Sequence, residues 1–236
     1  MNRIWLSAYL EEMERDTARR QFATLTPQAR NIVVKELGPS LLGDYFAFFD
    51  TLYETDPWLN FTNNPYWSGC YCGFFDHKRP ENELNALGAP ERKRMRSERI
   101  LSNQATGFLA YMDCKVVGWC NAGPRASYVS LQHLSRAVED PTERVGSILC
   151  FVVDSQYRRK GIATALLDSA CVSFKRLGLD YAEGYPRTKP ANVENPYKIP
   201  EEHLNYYGPL QMYLKAGFKI HRQFDKFGAV RKNLRD

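Results

Sequence analysis

No run of about 18 apolar residues occurs in the 236 residues, so no segment is built to span a bilayer as a helix. The start, MNRIWLSAYLEEMERD, lacks an apolar core followed by a small-residue cleavage site. That predicts a chain without a secretory signal, working in the cytoplasm and without a membrane partner. Its six cysteines, at 70, 72, 114, 120, 150 and 171, then read as reduced thiols. Cys70 and Cys72 form C-x-C instead of the C-x2-C of a zinc knuckle, no second pair follows, and the four histidines lie far apart. No metal site is expected. Charge of one sign is also scarce: 32 basic against 27 acidic residues leave a net charge of +5. The densest basic run, ERKRMRSER at 91–99, holds five basic and two acidic residues and reads as a solvated helix face. A nucleic-acid partner would need a stronger stripe, so none is predicted.

What is present is an ordinary globular composition, 44% hydrophobic and 25% charged, in a chain long enough to bury a core without disulfides. Two parts are predicted: a helical extension over 1–30 and a main domain over 31–236. In the extension, Trp5, Tyr9 and Met13 share one face at helical spacing. Its polar face carries both signs of charge, unlike a lipid-binding helix, so it reads as packing on the main body or on a second copy of the chain. The second option leaves a homodimer open.

The main domain mixes strands with helices. NIVVKEL at 31–37 reads as a strand, and 41–52 as a helix with Leu42, Tyr45, Phe46 and Phe49 on one face. WSGCYCGFF at 67–75 has strand character, and 90–104 reads as a helix free of Gly and Pro. Strands at 107–112 and 116–121 flank a short turn as a hairpin. SILCFVV at 147–153 is a continuous apolar run, which suits a central strand buried on both faces. A helix over 161–177, a strand at 181–185, a Pro-rich loop or lid over 186–207, a short helix at 209–216 and two closing strands at 218–224 and 229–234 complete the pattern. The fold class is α/β (α+β).

One segment carries chemistry. After the apolar strand comes Arg158-Arg159-Lys160-Gly161-Ile162-Ala163-Thr164, then a helix with Ile162, Leu166, Ala170, Phe174 and Leu177 on its inner face. The first turn of a helix leaves amides without partners, and its dipole adds positive charge. Gly161 and the small Ala163 let a phosphate approach that backbone, and the three cations beside it add potential. A diphosphate fits. A Walker loop would need G-x-x-x-x-G-K-[ST], which is absent, and a dinucleotide fingerprint would need three glycines.

R-x-x-G-x-A after an apolar strand, here Arg158, Gly161 and Ala163, resembles the acyl-CoA-binding motif of the GNAT N-acetyltransferase superfamily. LQMYLKAGF, at 210–218, is similar to that family's L-Y-x-x-x-G-F helix. The resemblance covers about residues 31–234 and implies a mixed, largely antiparallel central sheet flanked by helices. It implies acetyl-CoA as co-substrate, with backbone groups of Phe151, Val152 and Val153 pairing with the pantetheine arm and the 159–164 amides holding the pyrophosphate. The strand would be bulged, with an amide near Val153 polarising the thioester carbonyl. Tyr213, four residues before Gly217, would protonate the departing thiolate. Asn205, Tyr206 or Tyr207 would stand where the family has an asparagine that contacts the cofactor. The acceptor amine must lose a proton, and Glu183, an acid in the aromatic strand YAEGY, is the leading candidate acceptor for it, ahead of Glu54, Asp56 and Asp76. Trp67, Trp119 and Asn121 are candidate substrate-binding residues on strands that would meet near the thiol, an aromatic and polar mixture suited to a small amine. The expected activity is N-acetylation of a small-molecule primary amine by direct attack. Acetylation of a protein lysine or N-terminus, and a non-catalytic CoA-binding role, are the alternatives.

Overall fold

The structure, a computed structural model, describes residues 32–56, 71, 73–76, 87–133, 140, 142–188 and 205–235. All lie in the compact unit Ile32–Asp236. The expected N-terminal helix and most of the Pro-rich loop fall outside the described residues.

Seven strands form one sheet in the order β1-β2-β3-β4-β5-β7-β6. They are β1 (Val33–Glu36), β2 (Phe108–Met112), β3 (Lys115–Pro124), β4 (Val145–Val153), β5 (Tyr181–Gly184), β6 (Lys219–Gln223) and β7 (Gly228–Asn233). Every neighbouring pair is antiparallel except β4 and β5, which run parallel. That pair is joined by a helix, as a parallel connection requires. The apolar run read as a central strand is β4, buried along its first seven residues. This is the mixed, largely antiparallel sheet flanked by helices that the resemblance implied.

Helices cover both faces. They are α1 (Leu42–Thr55), α2 (Ala89–Leu101), α3 (Ile162–Arg176) and α4 (Leu210–Lys215). Side chains alternate across a strand, and β3 shows the consequence. Gly118 lies under Ile162 and Leu166 of α3, while Trp119 turns to the opposite face and meets the ring of Tyr45 from α1 edge-on, with centroids 5.0 Å apart. On that second face the Arg96 guanidinium of α2 lies 5.6 Å from the Trp119 ring and is paired with the buried Asp76. No helix among the described residues is long and apolar enough to cross a membrane.

Two expectations are corrected. The strand expected at 67–75 is absent from its described part: Tyr71 has φ +40°, and Phe74–Asp76 is a single 3-10 turn. The aromatics there serve the core under α1, where Tyr71 meets Phe46 at 5.4 Å. Leu177, expected on the inner face of α3, is exposed, because the helix ends at Arg176 and Leu177 is its cap.

Candidate active site

β4 and β5 part company early. Their paired register runs from Val145↔Tyr181 to Ile148↔Gly184 and stops. On its other side β4 stays paired with β3 up to Val153, with one extra residue, Leu149, between the partners of Asn121 and Ala122. Such a bulge bends the strand that carries it. From Cys150 to Val153, β4 therefore has β3 along one edge and, among the described residues, no strand along the other. By alternation the Val152 peptide groups face β3, while those of Phe151 and Val153 face the gap. Across the gap the Phe151 amide donates to the Tyr206 carbonyl at 2.6 Å.

At the far end of β4 the chain makes the turn singled out by sequence. Asp154 accepts from the Gln156 amide at 3.0 Å and starts a 3-10 turn over Ser155–Tyr157. Arg158 folds back, with Nε 3.4 Å from the Val153 carbonyl, and Lys160 donates to the Gln156 carbonyl at 2.7 Å. Arg159 takes φ +61° and Gly161 φ +87°. The Arg159 conformation is a strained one that a side chain adopts at a cost of about 1 kcal/mol or more. Gly161 is the N-cap of α3 and provides no capping side chain. The amides of Ile162, Ala163 and Thr164 thus begin a 15-residue helix without helical acceptors. A Cβ built on Gly161 would meet nothing within 4 Å, so nothing crowds the turn at this residue. Exposed Arg159 and the partly exposed Arg158 and Lys160 precede these amides in the chain. The arrangement fits a diphosphate: bare amides, a helix dipole, three cations and a backbone with no side chain in the way.

Tyr213 projects from α4 and is completely buried. Its hydroxyl donates to the Tyr207 carbonyl at 2.8 Å, and burial holds its pKa well above the ordinary 10. Its ring meets Phe151 at 6.4 Å and Phe218 at 5.2 Å. On the other side the ring rests on Gly184, where a Cβ would come within 2.4 Å of it. Only glycine fits there, so the last residue of β5 sets the depth of Tyr213.

Glu183 faces away from Tyr213 and is also fully buried. Its partner across the strand pair is Arg231 of β7. Arg231 Nε and Nη2 both donate to Oε2 of Glu183, at 2.9 and 2.7 Å, while Nη1 reaches Glu143 at 2.9 Å. Neither Arg231 contact reaches Oε1 of Glu183, and the Tyr185 hydroxyl lies within reach of this carboxylate. The Tyr185 hydroxyl pairs with Ser147 Oγ at 3.0 Å. Burial first, then the negative charge of Glu183, push the Tyr185 pKa far above its usual value.

Trp119 and Asn121 lie in the core beneath α1, both without solvent exposure. Asn121 Oδ1 accepts from the Tyr128 hydroxyl at 2.8 Å, and Trp119 Nε1 has no hydrogen-bond partner. Trp67 lies outside the described residues. Among the described residues no group of three His, Cys, Asp or Glu side chains could hold a metal ion.

Sequence reasoning missed Arg231, Tyr185 and Ser147. The available signal was the alternation Glu183, Tyr185 along one strand face. Arg231 and Ser147 join them only through strand pairing.

The model of the Acetyltransferase (GNAT) family matches residues 69–190, more than half of the chain, and the chain belongs to that family. Among solved structures it is similar to a GNAT acetyltransferase from Streptococcus pneumoniae, with 16% identity, 86% of this chain and 99% of that one covered, and a TM-score of 0.45. It is also similar to a GNAT acetyltransferase from Listeria monocytogenes, with 13% identity, 89% and 98% covered, and a TM-score of 0.49. A third is the PaiA N-acetyltransferase from Thermoplasma acidophilum in complex with coenzyme A, with 15% identity, 86% and 99% covered, and a TM-score of 0.45. Among curated protein sequences, none matches this chain.

Proposed function

We propose that this chain moves the acetyl group of acetyl-CoA onto a primary amine of a small molecule by direct attack, without a covalent enzyme intermediate. The observation that carries the reading is the turn from Arg158 to Thr164, whose bare amides and cations open α3 directly after the central strand of a GNAT acetyltransferase. Acetyl-CoA brings the acetyl group already activated as a thioester. The amides of 159–164 hold its diphosphate, with Arg158, Arg159 and Lys160 supplying positive potential. The edge of β4 along Phe151–Val153 takes the pantetheine arm as an added strand would be taken.

The amine nitrogen forms a bond to the acetyl carbon as the carbon–sulfur bond breaks. Glu183 is the group we assign to accept the proton the amine must lose. Its Oε1 supports that role, because both contacts from Arg231 fall on Oε2. Tyr213 gives its hydroxyl proton to the departing sulfur. Its raised pKa keeps that proton in place at neutral pH, and the Tyr207 carbonyl holds the hydroxyl until the transfer.

The experiment is thiol release from acetyl-CoA over a panel of small amines and short peptides, with mass analysis of the acetylated product. Coenzyme A binding is measured alongside by calorimetry. Acetylation of small amines in preference to peptides is expected. Transfer to peptide amines alone would replace the small-molecule reading, and binding without transfer would make the chain a coenzyme A sensor.

A further inference from the structure

β5 does not end as an extended chain where its pairing with β4 stops. Beyond Gly184 it keeps the same register with β7: Gly228 donates to the Pro186 carbonyl at 2.9 Å, Arg187 bridges to Phe227, and Thr188 donates to the Lys226 carbonyl at 3.0 Å. Since side chains alternate, Glu183, Tyr185 and Arg187 fall on one face. Glu183 is still paired with Ser147 of β4, and Tyr185 and Arg187 follow where that pairing has stopped.

Arg187 differs from four other arginines of the chain in lacking a carboxylate partner. Arg96 is paired with Asp76, Arg231 with Glu183, and Arg144 and Arg235 with Asp180. No carboxylate among the described residues pairs with Arg187. Its guanidinium lies on the Phe227 ring, 5.2 Å from the centroid, and Nε and Nη2 are shielded from solvent without a hydrogen-bond partner. Leaving charged N–H donors desolvated and unpaired is costly. Nε and Nη2 are also the two donors on one edge of the guanidinium fork. That edge matches the two oxygens of a carboxylate side-on.

We propose that Arg187 binds the carboxylate of the acceptor, so that the substrate is a primary amine that also carries a carboxylate. Calling this ligand the acceptor rests on the acetyltransferase reading above. The spacing refines the class. Glu183 and Arg187 are four residues apart on an extended chain, roughly 13 Å between their backbones. A long arginine stem shortens that span but does not erase it. An amine separated from its carboxylate by several bonds, as in a side-chain amine of an amino acid, fits better than an α-amine.

The test follows the Arg187 Nε–H resonance by NMR in the full chain, with and without coenzyme A, assigned by its loss in Arg187→Lys. The probes are L-lysine and 6-aminohexanoate, each against its carboxamide. The carboxylate probes are expected to shift this resonance and the carboxamides to leave it in place. Arg187→Lys should weaken carboxylate binding about tenfold or more, with coenzyme A affinity unchanged. Three results overturn the proposal: no shift with either carboxylate, equal shifts with the carboxamides, or a shift caused by coenzyme A alone that the carboxylates cannot add to. The last would assign the guanidinium to a phosphate of the co-substrate. Failure of coenzyme A to perturb the Gly161 amide would instead remove the acetyltransferase reading, independently of what Arg187 does.

Discussion

The Phe151 amide and the Tyr206 carbonyl are joined by a 2.6 Å hydrogen bond across the gap that β5 leaves beside β4. The turn before α4 thus occupies a backbone donor that a pantetheine arm would use. Saturation with coenzyme A should therefore exchange one acceptor for another. In hydrogen exchange the Phe151 amide should stay protected, while the Gly208 amide, which donates to the Asn205 carbonyl at 2.8 Å, exchanges faster as the turn is released. Unchanged exchange over 205–208 at saturation would show that the arm binds without displacing Tyr206.

Gly161→Asp tests the diphosphate cradle. Nothing stands near its Cβ position, so the side chain has room, and the cost to the fold is the φ of +87°, about 1 kcal/mol. A carboxylate at the start of α3 would repel the diphosphate where the amides should receive it. Calorimetry should find coenzyme A binding weakened by at least about a hundredfold, from lost amide contacts and added repulsion, with the melting temperature shifted only slightly. Binding at wild-type strength would move the phosphate site elsewhere.

Tyr213→Phe separates chemistry from packing. The ring stays, wedged between Phe151 and Gly184, and only the hydroxyl bond to the Tyr207 carbonyl is lost, about 1 kcal/mol of stability. Coenzyme A affinity should hold while kcat falls by about a hundredfold or more, the usual contribution of a positioned acid. Because burial keeps the wild-type hydroxyl protonated well past neutrality, the ratio of the two rates should be flat from neutral to mildly alkaline pH. Equal kcat would reduce Tyr213 to a core tyrosine.

Asp180 gives a pH prediction far from the gap. Hydrogen bonds from Arg235 and then Arg144 hold its carboxylate below the ordinary 3.8. A group whose folded pKa is depressed stabilises the fold above its unfolded pKa, and that stabilisation fades as pH drops toward the folded value. Asp180→Asn should melt earlier than wild type at neutral pH. The difference should shrink below about pH 3.8, and also with added salt, since both arginines are exposed. A difference that is independent of pH would assign Asp180 a shape role instead of a charge role.

Much of the fold was legible because its signals are local. SILCFVV announces a buried strand by being apolar throughout, and Gly161 marks the start of α3 by following a cluster of cations. Pro209 and Gly217 bracket α4 for the same kind of reason. What stayed hidden depends on pairing. Glu183 reads in sequence as a lone acid, and only the register with β7 sets Arg231 beside it, 48 residues away. Trp119 and Asn121 were chosen for their chemistry, and their depth beneath α1 is a fact of which face β3 turns inward. Arg187 sits among prolines that read as a lid, and the continued register with Phe227 is what makes it part of a strand.

The sheet consists of two antiparallel ribbons, β1-β2-β3-β4 and β5-β7-β6, stitched along a seam only four residue pairs long. The slot we assign to the co-substrate opens at the end of that seam. Substitutions that unzip it further would make more room and, in the same stroke, loosen the joint between the halves. Gains in promiscuity toward bulkier thioesters should therefore come with losses in heat tolerance, and selection for one should be readable as drift in the other.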